Sequence, residues 1–179
     1  MQTRIKNKFD LVDKVAIVTG ASKGIGESIA RGLAEHGARV VVSSRSQEAV
    51  DEVANRFKKE GLQAVGIACH VGREDQLHYL VNETVTTYGG VDILVNNAAT
   101  CPVYGPVNEA SGLLFDKIIN TNLKAPFLLS NLCYPIMKKR GQGTIINIAS
   151  VEGLKPSVDL GLYSVSKAAL VMLTKSQAK

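Results

Sequence analysis

The sequence is poor in the features that mark secreted, membrane-bound and metal-dependent proteins. Its three cysteines, Cys69, Cys101 and Cys133, are far apart and odd in number. They form no CxxC pair and no ligand cluster with the three histidines, His36, His70 and His78, so neither a disulfide framework nor a metal site is expected. The thiols read as small core or surface residues in a reducing compartment, the cytoplasm. No run of about eighteen uncharged apolar residues occurs, so no membrane span is expected. The opening MQTRIKNKFDLVDK is basic but lacks the apolar core of a secretory leader. Residues 1–13 are read instead as a short arm leading into the first strand. The net charge of +5 is scattered, with small groups such as Lys138, Lys139 and Arg140. No basic run is interleaved with base-stacking aromatics, and a solvated surface explains the charge without a nucleic-acid partner.

What remains is an ordinary globular composition, 45% hydrophobic and 21% charged, in 179 residues. That length suits one domain with a sizeable core, placed at residues 14–179. Along it, β-branched runs suited to buried strands alternate with amphipathic helical windows. KVAIVTG, ARVVVSSR, QAVGIACHV, VDILVNNAA and GTIINIAS read as five strands. Between them, GESIARGLAEHG puts Ile29, Ala30, Leu33 and Ala34 on one face and ends at Gly37. SQEAVDEVANRFKKEG follows as a charged helix, with Ser46 as its N-cap and Gly61 as its end. REDQLHYLVNETVTTYG is a third helix. Residues 112–141 make one long helix or two joined near Pro126, and Tyr163 opens the last. Strands separated by helices need crossover connections, so the expected fold is α/β, a three-layer doubly wound Rossmann fold with a parallel sheet. Ligands of such folds bind beyond the carboxyl ends of the strands.

The first strand runs into TGASKGIG, which places Gly20, Gly24 and Gly26 at a strand-to-helix junction. Small residues there let the backbone approach a pyrophosphate, and the helix N-terminus presents free N–H groups to it. The spacing is G-x-x-x-G-x-G, unlike the commoner G-x-G-x-x-G. An acid for the ribose 2′-hydroxyl is expected about twenty residues on, yet Ser44 and Arg45 stand there. Arg45 has planar donors suited to a 2′-phosphate, Lys23 adds a second positive charge, and Ser44 a hydroxyl. NADP(H) is therefore expected over NAD(H).

TGASKGIG at 19–26, NNAA at 96–99, NTNLKA at 120–125, IINIAS at 145–150 and YSVSK at 163–167 together resemble the short-chain dehydrogenase/reductase (SDR) family. The match runs from about Lys14 to the end of the chain, and VVVSSR, HVG and NLKAP are most similar to its NADP-dependent carbonyl and retinal reductases. The resemblance implies that Tyr163 is the general acid/base. It makes Lys167 the tuner of that phenol and a ligand of the nicotinamide ribose. Residues i and i+4 share a helix face, and a neighbouring ammonium favours a phenolate. Ser150 would donate to the substrate carbonyl oxygen, and Asn122 would hold a water linking the lysine to solvent. Hydride would pass between the nicotinamide and a carbonyl or secondary alcohol of a small-molecule substrate. The cofactor would further meet Ser22 and Ile25 in the glycine turn, His70 and Val71 after the third strand, and Asn97, Ala98 and Ala99 after the fourth. Asn96 would stabilise its strand or line the cofactor wall. Two departures from the family stand out. Ala99 replaces a usual glycine, and His70 a common aspartate, so an imidazole would stack on the adenine or contact its edge, or Val71 would contact it through backbone alone.

Family members continue beyond the position of Lys179 with further strands and the helices that cover substrate. The chain is therefore expected to be a C-terminally truncated piece with an exposed fifth strand. A dimer or tetramer is expected for a full-length parent, where a C-terminal organelle signal could also lie. Two other readings follow: an inactive truncated dinucleotide-binding product, and a 3-oxoacyl-thioester reductase if a longer parent exists.

Overall fold

The β-branched runs become strands, each followed by helix that carries the chain back across the sheet. The computed structural model describes residues 9–179, so residues 1–8 of the expected arm lie outside the described residues. Strand β1 (Val15–Thr19) leads to α1 (Gly24–Glu35), β2 (Arg39–Ser44) to α2 (Gln47–Lys59), and β3 (Ala64–Ala68) to α3 (Glu74–Tyr88). Strand β4 (Ile93–Asn96) is followed by α4 (Gly112–Ile119) and α5 (Ala125–Lys139), and β5 (Thr144–Asn147) by α6 (Gly161–Gln177). The strands pair in parallel in the order β3-β2-β1-β4-β5. Strand order reverses at β1, with β2 on one side and β4 on the other, which opens a crevice at their carboxyl ends.

Side chains alternate across each strand and feed two cores. Ala16, Val18, Val40, Val42 and Val95 face Ala30 and Ala34 of α1 and Val50, Val53 and Phe57 of α2. Ile17, Val41, Ile67 and Leu94 face Leu77 and Leu80 of α3 and Leu129, Cys133 and Met137 of α5. Helices thus cover both faces, and β1 is buried along its whole length. The expected caps form as well. Ser46 accepts from the Ala49 N–H at 3.3 Å, and Gly37 and Gly61 follow their helices with φ of +98° and +82°.

The third and fifth strands are shorter than the expected 63–71 and 143–150, at Ala64–Ala68 and Thr144–Asn147, and the 112–141 run takes the first of its two expected forms. Residues 112–139 form one continuous helical run, interrupted by a π turn at Asn120–Lys124. Pro126 lies just beyond that turn and has no N–H to give the Asn122 carbonyl, so the regular ladder is broken where the π turn stands. The expected fourth strand, 91–99, is shortened to Ile93–Asn96, because the backbone beyond it turns back onto β1. There the Asn97 and Ala98 N–H groups both donate to Thr19 Oγ1 at 3.1 Å. The base of the sheet is fastened by Asp92, whose buried carboxylate accepts from Arg140 Nε and Nη2 and from the Val15 N–H, each at 2.9 Å.

Candidate active site

Each of the five strands ends on residues singled out in the sequence. Gly20 follows β1, Arg45 follows β2, His70 lies just after β3, Asn97 follows β4, and Ser150 lies shortly after β5. At the first of these ends the turn is tight. Gly26 lies so close to the Gly20 carbonyl and the Asn97 amide that any side-chain carbon there would collide with both. Asn97 Nδ2 closes the turn by donating to the carbonyls of Thr19, at 2.9 Å, and Gly20, at 3.1 Å. Lys23 occupies the position before α1 and is exposed, as are Gly24 and Ile25, while Ser22 is half-buried. The exposed face of the turn is therefore backbone and one cation, a cradle suited to a diphosphate.

Along the second strand's end, Ser44 is half-buried and Arg45 exposed. Arg45 takes part in none of the ion pairs or side-chain hydrogen bonds found among the described residues. The His70 ring turns over Gly72, whose N–H donates to Nδ1 at 3.1 Å, while the His70 N–H is taken by Gln76 Oε1. Val71 is half-buried beside it. Ala99 is exposed, and Asp13 is the only described non-glycine residue with positive φ. Alanine at 99 thus needs no special backbone, and the departure from glycine is accommodated.

At the other end of the crevice, α6 presents Tyr163 and Lys167 one turn apart. Lys167 Nζ lies 5.6 Å from the centroid of the Tyr163 ring, and donates to the Ile148 carbonyl at 2.7 Å. Burial lowers the Lys167 ammonium below its ordinary pKa. Ser150 lies past the end of β5 and caps a short 3-10 turn, Val151–Gly153, by accepting from the Glu152 N–H at 3.2 Å. The acceptor role leaves its O–H free to donate elsewhere. Asn122 is buried in the π turn. Its Oδ1 accepts from the Thr100 N–H, and its Nδ2 donates to the Thr100 carbonyl and to Ser166 Oγ, the neighbour of Lys167. A cavity of about 120 Å³ adjoins Tyr163, lined among others by Cys101, Tyr104, Leu114 and Leu160.

Sequence reasoning missed three residues that hold this arrangement. Thr19 anchors the chain after β4, and its hydroxyl at the end of an otherwise aliphatic strand was the available signal. Asn147 joins Asn96 Nδ2 on β4 to Thr174 Oγ1 on α6, at 2.8 and 2.9 Å. Glu152 binds serines on both sides of the segment that follows β5. Among the described residues no group of three or more histidines, cysteines and carboxylates could hold a metal, and no helix is long and apolar enough to cross a membrane.

A parallel sheet in this order, with a glycine turn after β1, defines a doubly wound Rossmann fold. A family model described as short chain dehydrogenase matches residues 14–179, and the chain belongs to that family. It is similar to the dehydrogenase/reductase SDR family member 4 of Sus scrofa, with 45% identity over 176 residues, 98% of this chain and 63% of the relative. The chain thus spans less than two thirds of that relative's length. Among solved structures, a gluconate 5-dehydrogenase from Burkholderia cenocepacia, in complex with NADP and tartrate, superposes with a TM-score of 0.90. The two are 33% identical, and the match covers 96% of this chain and 67% of that one. A metagenomic short-chain oxidoreductase in complex with NADP gives a TM-score of 0.88 at 38% identity, covering 94% of this chain and 76% of that one.

Proposed function

We propose that the chain carries the cofactor-binding and catalytic parts of an NADP(H)-dependent reductase of small carbonyl compounds, or a dehydrogenase of the corresponding alcohols. The observation that carries this reading is the convergence of the glycine turn, Arg45, Ser150 and the Tyr163–Lys167 pair on the carboxyl edge of one sheet. The site fits the cofactor by its own chemistry. The turn leaves backbone, not side chain, facing a diphosphate, and Lys23 and Arg45 stand exposed on either side of the β1–β2 boundary for a 2′-phosphate. Two solved relatives hold NADP, which supports the same preference here.

In this reading bound NADPH supplies the hydride that the carbonyl carbon accepts. Tyr163 delivers the proton to the carbonyl oxygen, or removes it in the oxidative direction. Lys167, with its charge desolvated and close to the ring, favours the phenolate that remains. Ser150, its lone pair engaged by the Glu152 N–H, directs its O–H at the same oxygen. The side chain of Asn122 is engaged at both ends, so its part is to fix the π turn against Thr100 and Ser166 beside Lys167. The three unpaired cysteines support a cytoplasmic location.

The test is NADPH oxidation with a panel of ketones and α-dicarbonyls, in this chain and in a longer protein containing it. Tyr163→Phe should lower turnover about 100-fold or more while NADPH binding, read by fluorescence, stays intact. Turnover that survives the substitution would sink the mechanism. Arg45→Asp should shift preference towards NAD(H) by about 10-fold or more, the worth of one charge-assisted contact. An unchanged ratio would remove Arg45 from the phosphate site.

A further inference from the structure

Glu152 stands two residues after Ser150 and belongs to neither the cofactor turn nor the Tyr–Lys pair, yet its carboxylate collects three donors. Oε2 accepts from the Ser157 N–H at 2.9 Å and from Ser164 Oγ at 2.7 Å, while Oε1 accepts from Ser157 Oγ. These hydrogen bonds hold the carboxyl below its ordinary range, so the group is ionised and the contacts are charge-assisted. The same residue's N–H donates to Ser150 Oγ at 3.2 Å. Ser164 is buried on α6 and is adjacent in sequence to Tyr163. One residue therefore grips the Ser150 hydroxyl with its backbone and the Tyr163 helix with its side chain.

The 3-10 turn is only three residues long and has no regular ladder to fix it. Gly153 packs against the α6 backbone at Lys167, and the Ser164 contact adds the side-chain hydrogen bond that ties Glu152 itself to α6 beside Tyr163. From this geometry we infer that Glu152 is a positioning residue. By bonding Ser164 it fixes the orientation of the Ser150 hydroxyl relative to the Tyr163 phenol. The inference rests on the catalytic reading above for its effect on rate, but not for its geometry.

Two measurements on the full chain test it. The first is amide exchange at Glu152. Ser164→Ala and Glu152→Ala should each reduce protection of that N–H about 10-fold or more, while amides of β1 and β2 stay unchanged. Undiminished protection in Ser164→Ala would overturn the inference whether or not the chain turns over a carbonyl. The second is kinetic. Glu152→Ala should lower kcat about 10-fold with NADPH affinity intact, and Glu152→Gln, which keeps an acceptor oxygen, should recover part of the loss. In a Ser150→Ala background, Glu152→Ala should lower the residual rate no further. Multiplying losses would show that Glu152 acts through general stability and would overturn the positioning role. Absence of turnover in the unaltered chain would count against the catalytic reading alone, and the exchange result would still decide the geometry.

Discussion

The two edge strands of the sheet, β3 and β5, present the same hazard and meet it differently. An edge leaves one row of backbone N–H and C=O groups unpaired. At β3 a single side chain covers that row. Gln47 Nε2 donates to the Gly66 carbonyl at 3.0 Å, and Gln47 Oε1 accepts from the Ala68 N–H at 2.9 Å. The amide mimics the ladder of a missing neighbour, and Gly66 permits it, since a side-chain carbon there would lie 2.7 Å from the backbone of α2. Strand β5 has no counterpart to Gln47 among the described residues. Its Ile146 is 41% exposed, and a groove of about 480 Å³ runs beside it, lined by Tyr134, Met137, Ile145 and Thr174 among others. What holds β5 is its partner β4 on one side, Asp92 at its start and Asn147 at its end, which bonds Asn96 and Thr174. The Thr144 N–H donates to the Asp92 carbonyl, while Arg140, just before the strand, bonds the Asp92 carboxylate. One edge is closed laterally and the other is pinned only at its ends.

That contrast can be broken most severely at the pin. Asp92→Ala should cost about 3 kcal/mol in urea unfolding, because Arg140 and the Val15 N–H lose their acceptor. A loss below about 1 kcal/mol would mean that the β4 ladder suffices. Acid should sharpen the same point. Burial pushes the Asp92 carboxyl up, but the Arg140 and Val15 hydrogen bonds and the charges of Arg140 and Lys14 outweigh it and hold it below its ordinary 3.8. A carboxyl depressed by folding stabilises above its unfolded value, and that contribution is lost as pH falls through the folded one. The gap between the two proteins should therefore narrow only below the ordinary value. At the closed edge, Gln47→Ala should cost about 1–2 kcal/mol and speed exchange of the Ala68 amide. Equal exchange in both proteins would show that α2 covers β3 without it. The smallest effect is expected at the open edge, where Ile146→Lys should change stability by no more than about 0.5 kcal/mol. Light scattering should nonetheless show less self-association, and unaltered scattering would mean that β5 does not pair with other copies.

The sequence made the order of elements and the parallel sheet legible because β-branched runs and amphipathic windows differ in period along the whole chain. The glycine turn and the Tyr163–Lys167 spacing were legible for the same reason, since local geometry fixes both. The π turn was not. Asn120–Lys124 has no glycine or proline to mark it, and Pro126 drew attention to the wrong side of the junction. What it holds together is tertiary, in the contacts of Asn122 with Thr100 and Ser166, which are distant in sequence. Thr19, Asn147 and Glu152 escaped for the same reason. Each is a common polar residue whose importance lies in what another strand or helix brings to it. Ser150 was placed at a strand end, whereas β5 stops at Asn147 and Ser150 caps the turn that follows, through its hydrogen bond with Glu152.

Lys167 has a thermodynamic side as well. It is 97% removed from solvent by its 3% exposure, its hydrogen-bond partner is a neutral carbonyl, and none of the ion pairs among the described residues includes it. A buried charge answered by one carbonyl and an aromatic face, with no counter-ion, is a standing deficit in the free energy of folding. The deficit is concentrated at the one helix turn that also carries Tyr163, among the buried polar side chains of Asn122, Ser164 and Ser166 and outside the two aliphatic cores. The fold is thus less stable than its own packing would allow, and the shortfall sits where the chemistry would be done.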